Sequence, residues 1–256
     1  MLKVETISHQ RPLEPIAPLG RIGVIALGTD INIEQDLRRI YPQGVEIFTS
    51  RVRNYNPLTI ENLRRMSDTI AQTADTILPG TKLDAVIYGC TSGSVAIGVD
   101  KVKALIHQSC PNVPVTNPFS AALEAFSVKN IKRISVLTPY TETVNREVAA
   151  TFEKNGIEVA NIAGFGFEDD TAMSFISEED VARAAHKICG SDVDALFLSC
   201  TALRASGVIA SLEQQLNIPV FSSNQVLAWH SLSLINYAKP IEGFGKLLNT
   251  VRKLES

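Results

Sequence analysis

The chain contains the same short sequence twice, and each copy ends in a cysteine followed by a threonine. Residues 83–91 read LDAVIYGCT and residues 193–201 read VDALFLSCT. The two Cys-Thr pairs lie about 110 positions apart. In each copy the cysteine follows an apolar run with the length of a buried strand. Two equivalent cysteines at the ends of two equivalent strands predict a fold built from two similar halves.

Further matches extend this repeat over most of the chain. Three more pairs of segments occur in the same order at nearly the same offset: RIGVI at 21–25 and RISVL at 133–137, GVEI at 44–47 and GIEV at 156–159, VPV at 113–115 and IPV at 218–220. Four matches in one order indicate a duplicated unit of about half the chain.

Apolar runs alternate with helical patterns along both halves, which predicts parallel sheets with helices on both faces. We therefore expect an α/β fold of two pseudo-symmetric Rossmann-like lobes with parallel sheets flanked by helices. The first lobe would span residues 1–118, including an N-terminal arm, and be completed by 224–256; the second would span 119–223. Ligands bind at the carboxyl ends of parallel strands. An active site is thus expected in the cleft between the lobes, where both Cys-Thr pairs fall.

The same patterns predict three local features. A helix should begin at Pro57 and run to about Leu78, and a second should lie near residues 95–108. Residues 164–175 are polar and acidic and are expected to form a loop.

Composition narrows the class of partner and the compartment. The chain has 256 residues, 45% of them hydrophobic, a net charge of −3 and no long basic run. Neither nucleic acid nor a membrane surface is therefore expected as a partner. The N-terminus lacks the apolar stretch of a signal peptide, and no run reaches a membrane span. With only four cysteines, we expect a reducing, cytoplasmic location.

Motifs for metals and nucleotides are missing from the sequence. Neither CxxC nor HExxH occurs and the four histidines have no ligand spacing, so no metal site is predicted. GxGxxG and GxxxxGK[ST] are also missing, so nothing indicates a dinucleotide or ATP.

Cys90 and Cys200 are the candidate catalytic residues. A thiol with a pKa near 8.5 becomes a usable base or nucleophile once a helix N-terminus lowers that value. The small polar residues Thr91 and Ser92 after Cys90 suit an anion nest for a carboxylate, and Thr201 repeats one of them. Most free cysteines merely pack in the core. We expect that role for the other two, Cys110 and Cys189, which no threonine follows.

These residues make the chain similar to the aspartate/glutamate racemase superfamily, and most similar to its branch of maleate cis–trans isomerase and arylmalonate decarboxylase. The likeness spans residues 20–237 and rests on IGVI at 22–25, CTSG at 90–93, TPY at 138–140, SCT at 199–201 and IPV at 218–220. Within that branch the chain most resembles the ectoine-utilisation racemase-like proteins, which share a Thr-Asp pair after the first strand.

The resemblance implies a substrate held between two cysteines of two pseudo-symmetric lobes, with no cofactor. The decarboxylase keeps only the second cysteine, so the presence of both favours racemase or isomerase chemistry. We also expect a homo-oligomer.

One departure from the branch bears on the substrate. Where maleate isomerase has asparagines that hold the substrate carboxylates, this chain has Asp30 and Asp170. An ionised Asp only accepts hydrogen bonds, so two of them would repel a dicarboxylate and attract an ammonium group. Alternatively, Asp30 is a helix cap and Asp170 a loop residue. Tyr140 could donate its hydroxyl to a substrate carboxylate or pack at the rim of the cleft.

Three hypotheses follow. In the first, the protein is a cofactor-independent racemase or isomerase of a small carboxylate, an amino acid, in which Cys90 and Cys200 exchange a proton at Cα. In the second, Cys90 attacks an alkene covalently, as in cis–trans isomerisation, and Cys200 acts as the acid. In the third, the protein binds a ligand and has lost the chemistry.

Overall fold

A computed structural model describes residues 2–250, and its strands form two four-stranded parallel sheets. The first sheet has the order β2-β1-β3-β4 and the second the order β6-β5-β7-β8, so the two sheets share one topology. The strands are β1 Gly20–Leu27, β2 Val45–Val52, β3 Ala85–Gly89, β4 Val115–Thr116, β5 Arg133–Thr138, β6 Glu158–Gly164, β7 Ala195–Leu198 and β8 Val220–Ser222. The predicted two-lobed α/β fold is confirmed.

Helices connect the strands and cover both faces of each sheet. They are α1 Ile33–Ile40, α2 Ile60–Arg65, α3 Ile70–Asp75, α4 Thr91–Ile97, α5 Val99–Ser109, α6 Pro118–Val128, α7 Glu142–Lys154, α8 Asp170–Met173, α9 Glu178–Ile188, α10 Ile209–Leu216 and α11 Ser223–Leu234. Residues 2–19 carry neither a helix nor a strand, and most of their side chains are exposed. In the described part of the chain, no helix is long and apolar enough to cross a membrane.

Three local predictions were wrong in detail. The helix expected over 57–78 is broken into α2, a 3₁₀ turn at Met66–Asp68 and α3. The helix near 95–108 is two helices, because Gly98 adopts a φ of +94° between α4 and α5. The acidic loop contains the short helix α8, and helix α6 was not predicted.

Helix α6 builds the core of the second lobe. Its Phe126 meets the rings of Phe197 and Phe221 edge-on, with ring centroids 5.8 and 5.3 Å apart. Phe119 and Phe152 complete this aromatic cluster. Such edge-to-face pairs add to the stabilisation that burial of the rings provides. The cluster fixes α6 and α7 against the sheet that carries Cys200.

Helix α11 packs against α6 and also contacts α1, β3 and β4 of the first lobe. The last described helix therefore bridges the two sheets. The division of the chain into 1–118, 119–223 and 224–256 stays a prediction.

Candidate active site

Cys90 lies where strand β3 passes into helix α4. It is the N-cap residue of that helix, and the N–H of Gly93 donates to its Sγ at 3.2 Å. The Ser92 Oγ lies 3.7 Å from the same sulfur. Cys90 is 3% exposed. These donors would stabilise a negative charge on the sulfur, as helix N-termini commonly do.

Cys200 occupies the corresponding position after strand β7, but a loop follows it instead of a helix. It is also buried. The Ala202 N–H and the Tyr140 hydroxyl both face its sulfur. Tyr140 also interacts with Ser92 and Cys90 in the other lobe. A single phenol from the loop after β5 therefore lies between the two cysteines.

Asp30 and Asp170 place two buried carboxyl groups beside the cysteines. The Oδ1 of Asp30 accepts the N–H groups of Asn32 and Ile33, at 2.8 and 2.9 Å, at the start of helix α1, whose N-cap residue is Asn32. Its Oδ2 is buried and has no hydrogen-bond partner within residues 2–250. Asp30 thus holds the start of α1 with one oxygen, and its second oxygen is left without a partner in the cleft.

Asp170, the first residue of α8, reaches the cleft from the second lobe. Its Oδ2 accepts the Thr29 hydroxyl at 2.5 Å and the Asn54 amide at 3.2 Å. Its backbone N–H donates to the side chain of Asn56 at 3.1 Å. All three partners belong to the first lobe, so Asp170 joins the lobes directly beside the site.

Burial and the two carboxylates shift the pKa values of the site in one direction. Burial, with the charge of Asp170, raises the pKa of Cys90 to about 12 and that of Cys200 well above its usual value. Burial also raises the pKa of Asp30, and it raises the pKa of Asp170 to about 6. In this closed cleft both thiols are therefore protonated at neutral pH.

Six of the eight predicted site residues lie together in the cleft: Asp30, Cys90, Ser92, Tyr140, Asp170 and Cys200. Thr91 and Thr201 use their hydroxyls for contacts between elements. Thr91 shares a hydrogen bond of 2.8 Å with Ser223, and Thr201 donates to the Gly89 carbonyl at 3.1 Å. Substrate contacts by these two threonines stay a prediction.

Sequence reasoning missed a buried polar network behind Cys200. Asp36 of α1 accepts hydrogen bonds from Ser206 at 2.6 Å, Asn224 at 2.8 Å and Asn32 at 3.2 Å. The same two asparagine amides donate to the carbonyl of Thr201. The network therefore fixes the backbone directly after the catalytic candidate. Asp36 lies four residues after Asn32, so both side chains lie on one face of the helix. This spacing could have indicated the network in the sequence.

Sequence reasoning also missed Tyr88. This residue lies two positions before Cys90, and alternation along a strand places positions i and i+2 on one face. Its hydroxyl is buried and has no hydrogen-bond partner in the described chain. The spacing from Cys90 was visible in the sequence, whereas the missing partner was not.

Contacts give two further residues, Asn145 and Arg51, supporting roles near the site. Asn145 accepts the Thr138 hydroxyl at 2.6 Å, and that hydroxyl accepts the Tyr140 N–H at 3.0 Å, so Asn145 supports the Tyr140 loop. Arg51 donates to the carbonyls of Leu27 and Asp30 and pairs with Glu34. Its guanidinium therefore holds the loop that carries Asp30.

The site is enclosed. A cavity of about 640 Å³ lies at the other end of the first sheet, lined by the loops before β3 and β4, and neither Cys90 nor Cys200 lines it. In the described residues no group of three or more His, Cys, Asp or Glu side chains could hold a metal ion.

Comparisons with known proteins agree with this architecture. The family model described as arylmalonate decarboxylase (Amdase) matches residues 22–248. The maleate isomerase of Nocardia farcinica (strain IFM 10152) is 22% identical over 241 residues, which cover 89% of this chain and 95% of the relative.

Solved structures share the fold. A cysteine-to-alanine variant of the maleate isomerase Iso from Pseudomonas putida S16, with maleate, has a TM-score of 0.84 at 20% identity and covers 92% of this chain and 99% of that chain. A cysteine-to-serine variant of the Nocardia farcinica maleate cis–trans isomerase, with a covalently bound succinylcysteine intermediate, has a TM-score of 0.82 at 21% identity, with 90% and 98% covered. Since the family model spans most of the sequence, the chain belongs to the arylmalonate decarboxylase (Amdase) family, in the superfamily branch that its cysteine segments indicated.

Proposed function

We propose that the protein is a cofactor-independent amino-acid racemase in which Cys90 and Cys200 transfer protons on opposite faces of Cα. One observation carries the proposal. Two thiols at corresponding strand ends lie beside two buried carboxyl groups, Asp30 and Asp170. The thiols supply an acid and a base, and the carboxyl groups favour a substrate with a positive charge.

The chemistry needs only proton transfers. One cysteine, as thiolate, takes the Cα proton, and the electron pair of the broken C–H bond spreads into the substrate carboxylate. The other cysteine, as thiol, delivers its proton to the opposite face and becomes the thiolate. The α4 N-terminus, Ser92 and Tyr140 are the candidate donors for the carboxylate, on which negative charge grows in the transition state.

The raised pKa values of the cysteines support an ammonium-bearing substrate. Burial is the main cause of the raised pKa of both thiols, and the charges of Asp170 and Asp30 raise each pKa further. An ammonium group bound between the two carboxylates would cancel this effect and lower the thiol pKa values. Substrate binding would then help to form the thiolate. A dicarboxylate would have the opposite effect, because it adds negative charge beside the sulfurs.

Cis–trans isomerisation of a maleate-like diacid is the second candidate, and the relatives named maleate isomerase favour it. The succinylcysteine in one related structure corresponds to a covalent route. Here the Cys90 sulfur would form a bond to an alkene carbon while Cys200 protonates the neighbouring carbon. Rotation about the resulting single bond and reversal of the addition would give the trans product. The resemblance to ectoine-utilisation proteins instead favours an amino-acid substrate. That resemblance stays a prediction.

Proton exchange in deuterium oxide distinguishes the candidates. Wild type, Cys90→Ala, Cys200→Ala and, as a matched control, Cys189→Ala would be incubated with diaminobutyrate, aspartate, glutamate and maleate, and proton NMR would follow each Cα or vinyl signal. We expect one amino acid to lose its Cα signal with wild type and Cys189→Ala only. Conversion of maleate without amino-acid exchange would contradict the racemase proposal. A ligand that raises the melting temperature without exchange would indicate a binding protein instead.

A further inference from the structure

Tyr88 is a buried polar residue that the proposed proton transfer does not yet use. Its side chain is fully buried, and no group in the described chain hydrogen-bonds to its hydroxyl. An unpaired buried hydroxyl is unfavourable, because it loses its bonds to water and gains none in return. Such a group is rare in native structures, and where it occurs it usually has a functional role.

The position of Gly93 shows what the hydroxyl is near. A Cβ atom on Gly93 would lie 2.7 Å from the Tyr88 hydroxyl oxygen and 2.9 Å from the Cys90 sulfur. Both atoms therefore border the same small space under the first turn of α4, and the glycine leaves that space open. The oxygen and the sulfur are neighbours across this space, and no hydrogen bond joins them in this structure.

We infer that the Tyr88 hydroxyl donates a hydrogen bond to the Cys90 sulfur when that sulfur becomes a thiolate. The inference rests on the proposed function, in which Cys90 must carry a negative charge during each turnover. A thiol is a weak acceptor and a thiolate a strong one, so the bond forms with the charge. The thiol proton goes to or comes from the substrate, and the Tyr88 proton stays on its own oxygen.

The charged neighbours of Cys90 explain why such a donor is needed. The groups that face it across the cleft are Asp170 and Asp30, and both raise its pKa. The groups that favour its thiolate are the Gly93 N–H and Ser92, both on α4. Tyr88 adds a third neutral donor from β3. Burial and the charges of Cys90 and Asp170 raise the pKa of Tyr88 itself, so its proton stays in place.

The second cysteine has a comparable arrangement. Tyr140 faces the Cys200 sulfur and lowers the pKa of that thiol. Each sulfur would then have a phenol beside it: Tyr88 from the strand before Cys90, and Tyr140 from the loop after β5, which faces Cys200 and also lies near Cys90. This pairing fits an enzyme in which either cysteine serves as base, depending on the enantiomer.

Two tyrosine variants test the inference. Tyr88→Phe removes a hydroxyl that has no partner within residues 2–250, whereas Tyr41→Phe removes a hydroxyl that bonds to Ser231 of α11 at 2.6 Å. Iodoacetamide modification of Cys90 would be measured by peptide mass spectrometry from pH 6 to 10, together with the melting temperature. Neither readout needs a substrate, so the result stands apart from that of the exchange experiment.

We expect opposite effects from the two variants. Tyr88→Phe should keep its melting temperature, while a higher pKa of Cys90 lowers the modification rate about tenfold at each pH tested, since the whole range lies below that pKa. Tyr41→Phe should melt earlier and modify Cys90 as wild type does. Unchanged Cys90 modification in Tyr88→Phe would overturn the inference, whatever its stability. Tyr88→Leu, which also lacks the hydroxyl, gives the same comparison if the Phe variant does not fold.

Discussion

Asp30 and Asp170 come from opposite lobes and interact within the closed cleft: the charge of Asp30 is one cause of the pKa of about 6 at Asp170. Two carboxyl groups in one buried site cannot both ionise without cost. A positively charged ligand group removes that cost, whereas a ligand with two carboxylates increases it. The pair therefore favours a substrate that carries a positive charge over one that carries two carboxylates.

Replacement of both carboxyl groups by amides should change the substrate preference. The double variant Asp30→Asn, Asp170→Asn keeps the side-chain shapes but replaces two acceptors for an ammonium with amides that can donate to a carboxylate. We expect the rate of Cα proton exchange to fall at least about 100-fold, because each substitution removes a charge-assisted contact with the ammonium group. We also expect maleate to bind, which isothermal calorimetry would measure.

The matched control for that variant is Glu168→Gln, which changes an exposed carboxyl group two residues before Asp170. It should keep wild-type exchange. If the double variant retained full exchange and still rejected maleate, the carboxyl pair would not select the substrate.

Asp170 should also make stability depend on pH. Its pKa is raised from 3.8 to about 6 in the folded protein, so the folded state holds this proton more tightly than the unfolded chain. Its contribution is most favourable below pH 4, declines as the pH rises to about 6 and is constant above that. The loss amounts to about 2–3 kcal/mol. Asp170→Asn should remove this decline and be the more stable protein at pH 7.5.

Urea unfolding of wild type and Asp170→Asn at pH 4.5 and pH 7.5 measures this effect. The difference between the two proteins should change with pH, since every other titrating group is common to both. An equal difference at both pH values would mean that Asp170 titrates normally in the folded state.

The duplicated segments were enough to predict the fold class, since alternating strands and helices indicate parallel sheets and the offset of the two copies indicates two similar lobes. Helix α6 escaped prediction for a physical reason. Its residues Pro118–Val128 are apolar on several sides because the helix is buried between α11 and the aromatic cluster, so no amphipathic stripe marks it. The break between α2 and α3 was also missed, because helix-forming residues continue through the segment.

Within the site, sequence identified the groups that carry charge and missed those defined by their contacts. Cys90, Cys200, Asp30 and Asp170 could be found because the two halves repeat and because the family pattern has other residues at two positions. Tyr88 could not be separated from an ordinary core tyrosine without knowing that its hydroxyl has no partner among the residues that the structure describes. The bonds that fix the Cys200 loop likewise depend on residues far apart in sequence.

The network around Asp36 should be essential to stability and to the position of Cys200. Asp36→Ala leaves the Ser206 hydroxyl and two asparagine amides without their common acceptor inside the protein. Removal of one partner from a buried polar network is strongly destabilising, and we expect a loss of about 3 kcal/mol. Gln35→Ala, on the exposed side of the same helix, should cost almost nothing. Thermal unfolding of both variants provides the comparison.

Proton exchange tests the second part of this prediction. Because the asparagine amides also hold the Thr201 carbonyl, Asp36→Ala should slow exchange even at temperatures where it is fully folded. Full exchange by the folded variant would show that the loop keeps its geometry without the network.

Gly93→Ala should inactivate the enzyme and have little effect on the stability of the rest of the protein. The new methyl group would lie under 3 Å from the Tyr88 hydroxyl, the Cys90 sulfur and the Met66 side chain, so at least one of them must move. The φ of Gly93 does not require glycine, which leaves this crowding as the cause of any effect. Proton exchange should fall by about 100-fold or more, since displacement of a reacting group by about 1 Å has effects of that size.

Gly28→Ala serves as the control for the Gly93 variant, because a Cβ there would make only ordinary contacts, the nearest at 3.4 Å. It should exchange at the wild-type rate. If Gly93→Ala were as active as this control, the space shared by Tyr88 and Cys90 would have no part in the reaction. Gly93→Ala could instead be inactive and also have its Cys90 modified more slowly. The loss of activity would then come from a less stable thiolate, because the methyl group separates the Tyr88 phenol from the sulfur.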